Sequence, residues 1–368
     1  MLDMGLKQRD CLGVLGRQAA TMARCSSCDA LRPKRCDGWV RIWISMLRTR
    51  SSIICSSLAR AQAQAAPAPM FINGLAAGCL GTSTTIWGMP DLDLHLFQAH
   101  LQRWGAQPAG RPLATSTSDL LPVSLTGKWN GLPAMIKITR DLDERIGGQV
   151  LQWWDGAGAA RVYASDLPSG ALLMERATGS RHLLRMALEG EDDAATTCIC
   201  LSLHQLHSHR PSAPPPENLL PLADFFRSLA PMAAQQGGLM AECAKVAQEL
   251  LQDQREQVVL HGDAHHSNIL DFEQRGWLAI DPKRVTGERY YDYVNVLCNP
   301  DLKTCTDPLR FARQLAVVVD VAGLERQRLL RWVMAHAALS AAWFLEDGCR
   351  TEADEELAVA QLARQALA

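Results

Sequence analysis

Three side chains within one stretch of this chain have the types and spacing of a phosphoryl-transfer site. In VVLHGDAHHSNILDFEQRGWLAIDP, residues 258–282, Asp263 follows His261 and Gly262. Asn268 lies five residues further on and Asp281 eighteen. Moving a phosphoryl group onto a hydroxyl needs one carboxylate to meet the acceptor and take its proton. It also needs hard oxygen ligands to hold Mg²⁺ against a triphosphate, and a carboxylate with an amide oxygen suits that ion. Kinase loops of the form H-x-D-x-x-x-x-N use the same five-residue step, with the metal carboxylate after the next strand. The bland alternatives are a turn-capping aspartate at His-Gly-Asp and an ordinary Asp-Pro turn at Asp281; the joint spacing argues against both. His261 and His265, four apart, offer a zinc-binding helix face as a rival. Gly262 directly after the first histidine makes that helix poor, so His265 and His266 read as solvated loop residues.

These residues must be delivered by strands. The apolar runs Val258 to Leu260 and Trp277 to Ile280 are short enough to be strands that end at Asp263 and Asp281. Upstream, alternation predicts a hairpin, Leu121 to Leu125 and Ala134 to Ile138, turning at Gly127 to Gly131. A helix follows from Leu142 to Trp154, stopped by Asp155-Gly156. The runs ARVYASD and ALLMER are strands joined by a turn at Pro168 to Gly170. Beyond Gly179 the spacing becomes helical, over Leu183 to Ala187, Asp193 to His207, Leu219 to Leu229, Ala241 to Arg255 and Leu309 to Leu345. The fold class expected is α+β, a small β-rich N-lobe over residues 89–177 and a larger, mainly helical C-lobe over 178–368.

HGDAHHSNIL followed by WLAIDPKRVTGERYYDYVNVLCNP, with LSAAWFLEDG at 339–348, resembles the aminoglycoside phosphotransferases. Within them it is similar to the streptomycin 6-phosphotransferase and hydroxyurea phosphotransferase branch. The resemblance is strong over about 255–348 and traceable over about 115–190. It implies a protein-kinase-like two-lobe fold binding ATP and Mg²⁺. Asp263 would be the catalytic base or orienting carboxylate, Asn268 and Asp281 the metal ligands, and His261 a brace for the loop. Lys137, in the apolar strand AMIKIT, would bind phosphates, with Glu144 as its ion-pair partner. The segment LATSTSDL, 113–120, would cover the phosphates with hydroxyls and backbone N–H groups in place of glycines. Backbone groups at Glu175 and Ala177, in the lobe linker, would read the adenine edge.

The implied acceptor is a small aminoglycoside-like molecule, streptomycin first. A polycation needs carboxylates to offset its desolvation. Glu346, Asp347, Glu352, Asp354, Glu355 and Glu356 supply them, as do Glu288 and Asp292, although a solvated acidic helix face and a loop brace are the competing readings. His204, His207 and His209 read as surface or helix-end residues. Hydroxyurea, another small metabolite, or a silent kinase-like scaffold are the alternatives. A protein kinase is disfavoured by the lack of D-F-G and A-P-E segments.

Composition bounds the rest. The 368 residues are 48% apolar and 21% charged with a net charge of −2, so no global field favours nucleic acid or an anionic membrane. The longest apolar helical stretch, Trp332 to Leu345, falls short of the roughly 20 residues of a membrane span. Residues 1–88 differ: eleven Lys/Arg face four Asp/Glu, and AQAQAAPAP at 61–69 is linker-like. They read as a disordered or non-native basic extension, with a transit peptide or a start at Met70 or Met89 as the options. Cys25, Cys28 and Cys36 lack the second pair of a zinc site. The six later cysteines read as buried, reduced thiols. A cytoplasmic monomer without nucleic-acid or membrane partners is expected.

Overall fold

The computed structural model describes residues 94–127, 131–209 and 211–368. The basic extension, its cysteine group and both alternative starts lie outside these residues. A 3-10 turn, Leu94–Phe97, leads into α1 (Gln98–Trp104). Six antiparallel strands then build one sheet: β1 (Ala106–Pro108), β2 (Leu113–Ala114), β3 (Ser118–Leu125), β4 (Pro133–Thr139), β5 (Val162–Asp166) and β6 (Ala171–Glu175). The order is β1-β3-β4-β6-β5, with β2 on β3. Alternation in β3 sends Leu121, Val123 and Leu125 inward, where they meet Ala134, Ile136, Ile138, Leu173 and Phe97 in a small core.

Helix α2 (Leu142–Trp154) crosses between β4 and β5. Asp141 caps it by accepting the Glu144 N–H, and Asp155 ends it in a left-handed conformation. Its Gly147 has a packing role. A Cβ there would sit 2.0 Å from the Pro282 carbonyl oxygen, so only glycine lets the helix press onto the segment that follows Asp281.

The second lobe is mainly helical: α3 (Leu183–Leu188), α4 (Asp192–Ser208), α5 (Leu222–Phe225), α6 (Leu229–Gln236), α7 (Gly238–Gln252), α8 (Leu302–Cys305), α9 (Pro308–Ala322), α10 (Arg326–Glu346) and α11 (Arg350–Leu367). Helix α10 is buried around most of its girth and forms the axis of the large core. Two expected helices differ. Leu309 to Leu345 is two helices, because Gly323 ends α9 at φ 62°. Leu219 to Leu229 is not one helix: Leu220–Pro221 is β7, Pro221 sits at the N-cap of α5, and α5 ends at Phe225 before α6 begins at Leu229. Strand β7 pairs in parallel with β11 (Val285–Glu288), which pairs antiparallel with β8 (Gln257–Leu260). A ribbon of β9 (Ile269–Asp271) and β10 (Trp277–Ala279) stands beside this sheet in sequence. The six described cysteines are buried and unbridged. No described helix is long and apolar enough to cross a membrane.

Candidate active site

Strand β8 ends at His261, and the turn that follows is pinned from three sides. His261 Nε2 lies 2.9 Å from the Ile280 carbonyl oxygen, and its Nδ1 accepts the Asp263 N–H at 3.2 Å. Burial holds the imidazole pKa below its usual value, so the ring is neutral and both nitrogens are engaged inside the protein. Below the turn, the buried Asp292 carboxylate accepts the N–H groups of His261 at 2.8 Å and Gly262 at 2.7 Å. It also meets His207 Nε2 at 2.7 Å. Gly262 has φ 75°, a conformation L side chains disfavour. Two sequence expectations change here, and one open reading is decided. His207 is a buried partner of Asp292, not a surface residue. Asp292 braces the loop and does not face an acceptor. His265 and His266 are buried, not solvated.

The turn projects Asp263 with its carboxylate held by two amides. Asn295 Nδ2 donates to Oδ1 at 3.1 Å, and Asn268 Nδ2 approaches Oδ2 at 3.4 Å while donating to the Asp263 carbonyl at 2.9 Å. Lys283 Nζ stands 3.7 Å from Oδ2. Because the Asn268 amide nitrogen is turned to Asp263, its oxygen is the atom left to act as a ligand. The Ile280 N–H donates to the Asn268 carbonyl at 2.9 Å, which ties this loop to the end of β10 where Asp281 emerges. Asp281 has φ 54°. That costs an L residue about 1 kcal/mol or more and is tolerated best by Asp and Asn. Asn295 escaped sequence reading; its only signal is a lone amide in the apolar run Val294 to Leu297.

Asp281 Oδ1 meets Lys137 Nζ at 2.8 Å, and Glu144 Oε2 meets the same Nζ at 2.9 Å. Strand β4 and helix α2 thus bring Lys137 and Glu144 to the metal carboxylate predicted from sequence. Burial disfavours the charge on Lys137, but Asp281 and Glu144 overcome it and raise its pKa. Burial likewise works against the Glu144 carboxylate, yet Lys137 and the Thr117 and Ser118 hydroxyls pull its pKa down to about 2. Thr117 and Ser118 donate to Glu144 at 2.5 and 2.8 Å, and Thr139 adds a third bond at 3.1 Å. The hydroxyls expected to cover phosphates therefore hold Glu144. The segment 113–120 is a tight β2–β3 hairpin, closed by the Thr115 N–H donating to the Ser118 carbonyl.

Glu175 ends β6. Its N–H donates to the Arg161 carbonyl and its carboxylate takes the Arg161 N–H and the Arg275 guanidinium. Only its carbonyl remains for a nucleotide, and Ala177 lies in the linker beyond. Of the candidate acceptor carboxylates, Glu288 is fully buried, bonded to Arg328, Trp332 and the Arg255 N–H, and Glu356 is buried in the core. Glu346, Asp347 and Asp354 are exposed.

Lys137 and Lys283 thus stand against three carboxylates, Asp281, Glu144 and Asp263, an excess of negative charge that suits a divalent cation. Two hard oxygen donors, from Asn268 and Asp281, match the few protein ligands magnesium takes when phosphates and waters complete its shell. Among the described residues no group of three His, Cys, Asp or Glu forms a metal cage.

The fold is that of small-molecule kinases. A choline/ethanolamine kinase family protein from Mesorhizobium loti matches at a TM-score of 0.52 and 13% identity, covering 73% of this chain and 95% of that one. Residues 103–348 match the aminoglycoside/hydroxyurea antibiotic resistance kinases, and the chain belongs to that family. Streptomycin 3''-kinase from Klebsiella pneumoniae is 46% identical over 274 residues, 73% of this chain and all of that protein. Hydroxyurea phosphotransferase from Kitasatospora aureofaciens is 30% identical over 71% of this chain and 76% of its own length.

Proposed function

We propose that this kinase moves the γ-phosphoryl group of ATP onto a hydroxyl of an aminoglycoside, streptomycin first, and so inactivates it. The observation that supports this best is the Asp263 carboxylate. It is fixed by the Asn268 and Asn295 amides, and the Ile280 N–H on the Asn268 carbonyl ties its loop to the strand end that carries Asp281 and its partner Lys137. Asp263 orients the acceptor hydroxyl and receives its proton. Asn268 and Asp281 would hold Mg²⁺, which would supply charge neutralisation for phosphoryl transfer. Lys137, kept charged and in place by Glu144, binds phosphate oxygens. The Glu175 carbonyl and the Ala177 backbone would read the adenine edge from the lobe linker. The protein contributes position and preorganised charge, with no covalent intermediate on the enzyme. The 46% relative named a 3''-kinase makes the 3''-hydroxyl the position we assign, over the 6-hydroxyl of the branch noted from sequence.

The test is ATP consumption by the full chain with Mg²⁺ against streptomycin, other aminoglycosides and hydroxyurea, with the product's phosphorylated position read by NMR. Streptomycin-dependent turnover with phosphate at the 3'' position supports the reading. Turnover with hydroxyurea alone overturns it in favour of the second relative's chemistry, and phosphate at another position overturns the regiochemistry.

A further inference from the structure

Lys283 belongs to neither ion pair of the nucleotide side and stands beside the reacting carboxylate. Its ammonium lies 3.7 Å from Asp263 Oδ2, and its side chain is about a third exposed, so it reaches solvent beside that carboxylate. Its backbone is fixed independently of that side chain. The Lys283 N–H donates to the His261 carbonyl at 2.7 Å. A Cβ at Gly262 would come within 3.0 Å of the Lys283 Cβ, so glycine there is what admits the lysine stem. The other lysine of the site, Lys137, is buried and held between two carboxylates at 2.8 and 2.9 Å, which fixes it on the nucleotide side.

We infer that Lys283 is a further catalytic residue, whose ammonium stabilises the charge on the phosphoryl group while it is in transit to the acceptor. The inference rests on the reading of Asp263 as the acceptor-side carboxylate. In the step, the bond between the γ-phosphorus and the β,γ-bridging oxygen breaks, and its electron pair leaves with ADP. A bond forms from the acceptor oxygen to that phosphorus, and the hydroxyl proton goes to Asp263. The transferring group carries its charge on three equatorial oxygens midway between these two oxygens. A flexible cation 3.7 Å from the acceptor-side carboxylate can meet those oxygens, and preorganised charge there acts on the transition state more than on bound ATP. A lysine also makes a poor contact for a polycationic acceptor, so its effect should fall on kcat and not on acceptor affinity.

The experiment measures kcat and the KM values for ATP and streptomycin in the full chain with Mg²⁺, for Lys283→Met, Lys283→Gln, Lys283→Arg and Asp263→Asn, with unfolding midpoints for each. Lys283→Met and Lys283→Gln should lose about 100- to 1,000-fold in kcat, the loss typical of one transition-state donor, with both KM values within a few-fold of the parent. Lys283→Arg should recover most of the loss. A Lys283→Met enzyme with parental kcat, beside an inactive Asp263→Asn, overturns the inference and leaves the Asp263 reading standing. A loss confined to KM for ATP also overturns it, because Lys283 would then serve ground-state binding alone. Parental turnover in Asp263→Asn overturns the reading beneath both.

Discussion

Replacing Glu356 with glutamine should stabilise the protein, and more so as the pH rises. Glu356 lies on α11 with its side chain in the core. Oε1 accepts the Ser340 hydroxyl at 3.0 Å. Burial pushes its pKa up to about 7, against the smaller opposing pull of Ser340 and Cys298. The folded state therefore holds a proton that the unfolded chain gives up near the ordinary carboxylate value. Such a group leaves stability intact below its unfolded pKa and removes it as the pH climbs through the folded one. The displacement is about 2.5 units, and at about 1.4 kcal/mol per unit this amounts to about 3 kcal/mol by pH 8 but only about 1 kcal/mol at pH 5. Glutamine stays neutral throughout and keeps an acceptor for Ser340. Thermal unfolding of Glu356→Gln should give a midpoint about 6 °C above the parent at pH 8 and about 2 °C above it at pH 5. A difference that does not change with pH would refute the argument, because packing alone has no pH dependence.

Other perturbations follow from the same geometry. Gly147→Ala would gain helix propensity at an exposed site. Here its Cβ would meet the Pro282 carbonyl at 2.0 Å, so the variant should lose about 1–3 kcal/mol in chemical denaturation and lose turnover as Asp281 is displaced. Lys137→Met strips phosphate of its cation and leaves Glu144 and Asp281 unpaired; KM for ATP should rise about 10- to 100-fold, the worth of a charged hydrogen bond, as steady-state kinetics would read. Burial lowers the pKa of His336 to about 4 and that of His266 to about 3, His265 adding to the latter. Below pH 6.5 the unfolded chain takes up protons these folded rings refuse, so each should cost about 2 kcal/mol between pH 6.5 and 5. Glu356 offsets one of them, so denaturation curves should show a steeper acid loss in Glu356→Gln than in the parent.

Asp263, Asn268 and Asp281 were legible because they fall within nineteen residues whose turn and strand signals are local. The two lobes were legible for the same reason: period two in β3 and β4 gives way to helical spacing after Gly179. The brace beneath the turn was legible at Asp292 as one of two readings, but not at His207 or Asn295. His207, Asp292 and Asn295 lie far from Asp263 in sequence, and no period marks a polar side chain that turns inward to bond a backbone. Thr117 and Ser118 look like any hydroxyl-rich turn until α2 brings Glu144 over them. Glu356 is different: Ala353, Ala360 and Ala363 share its face of α11, so helical spacing already placed it in the apolar stripe, and the run of acidic neighbours obscured it. The helix end at Gly323 and the helix start after Pro221 were readable from residue type, and the overlong predicted stretches ignored them.

The central claim is that Asp263 handles the acceptor while Lys137, Asn268 and Asp281 handle the nucleotide and its metal. The measurement that tests it most directly is streptomycin-dependent ATP turnover by the full chain and its Asp263→Asn variant, beside ATP affinity for both in the presence of Mg²⁺. The account predicts a loss of about 100- to 10,000-fold in turnover with ATP affinity within a few-fold of the parent. Parental turnover in Asp263→Asn would contradict it.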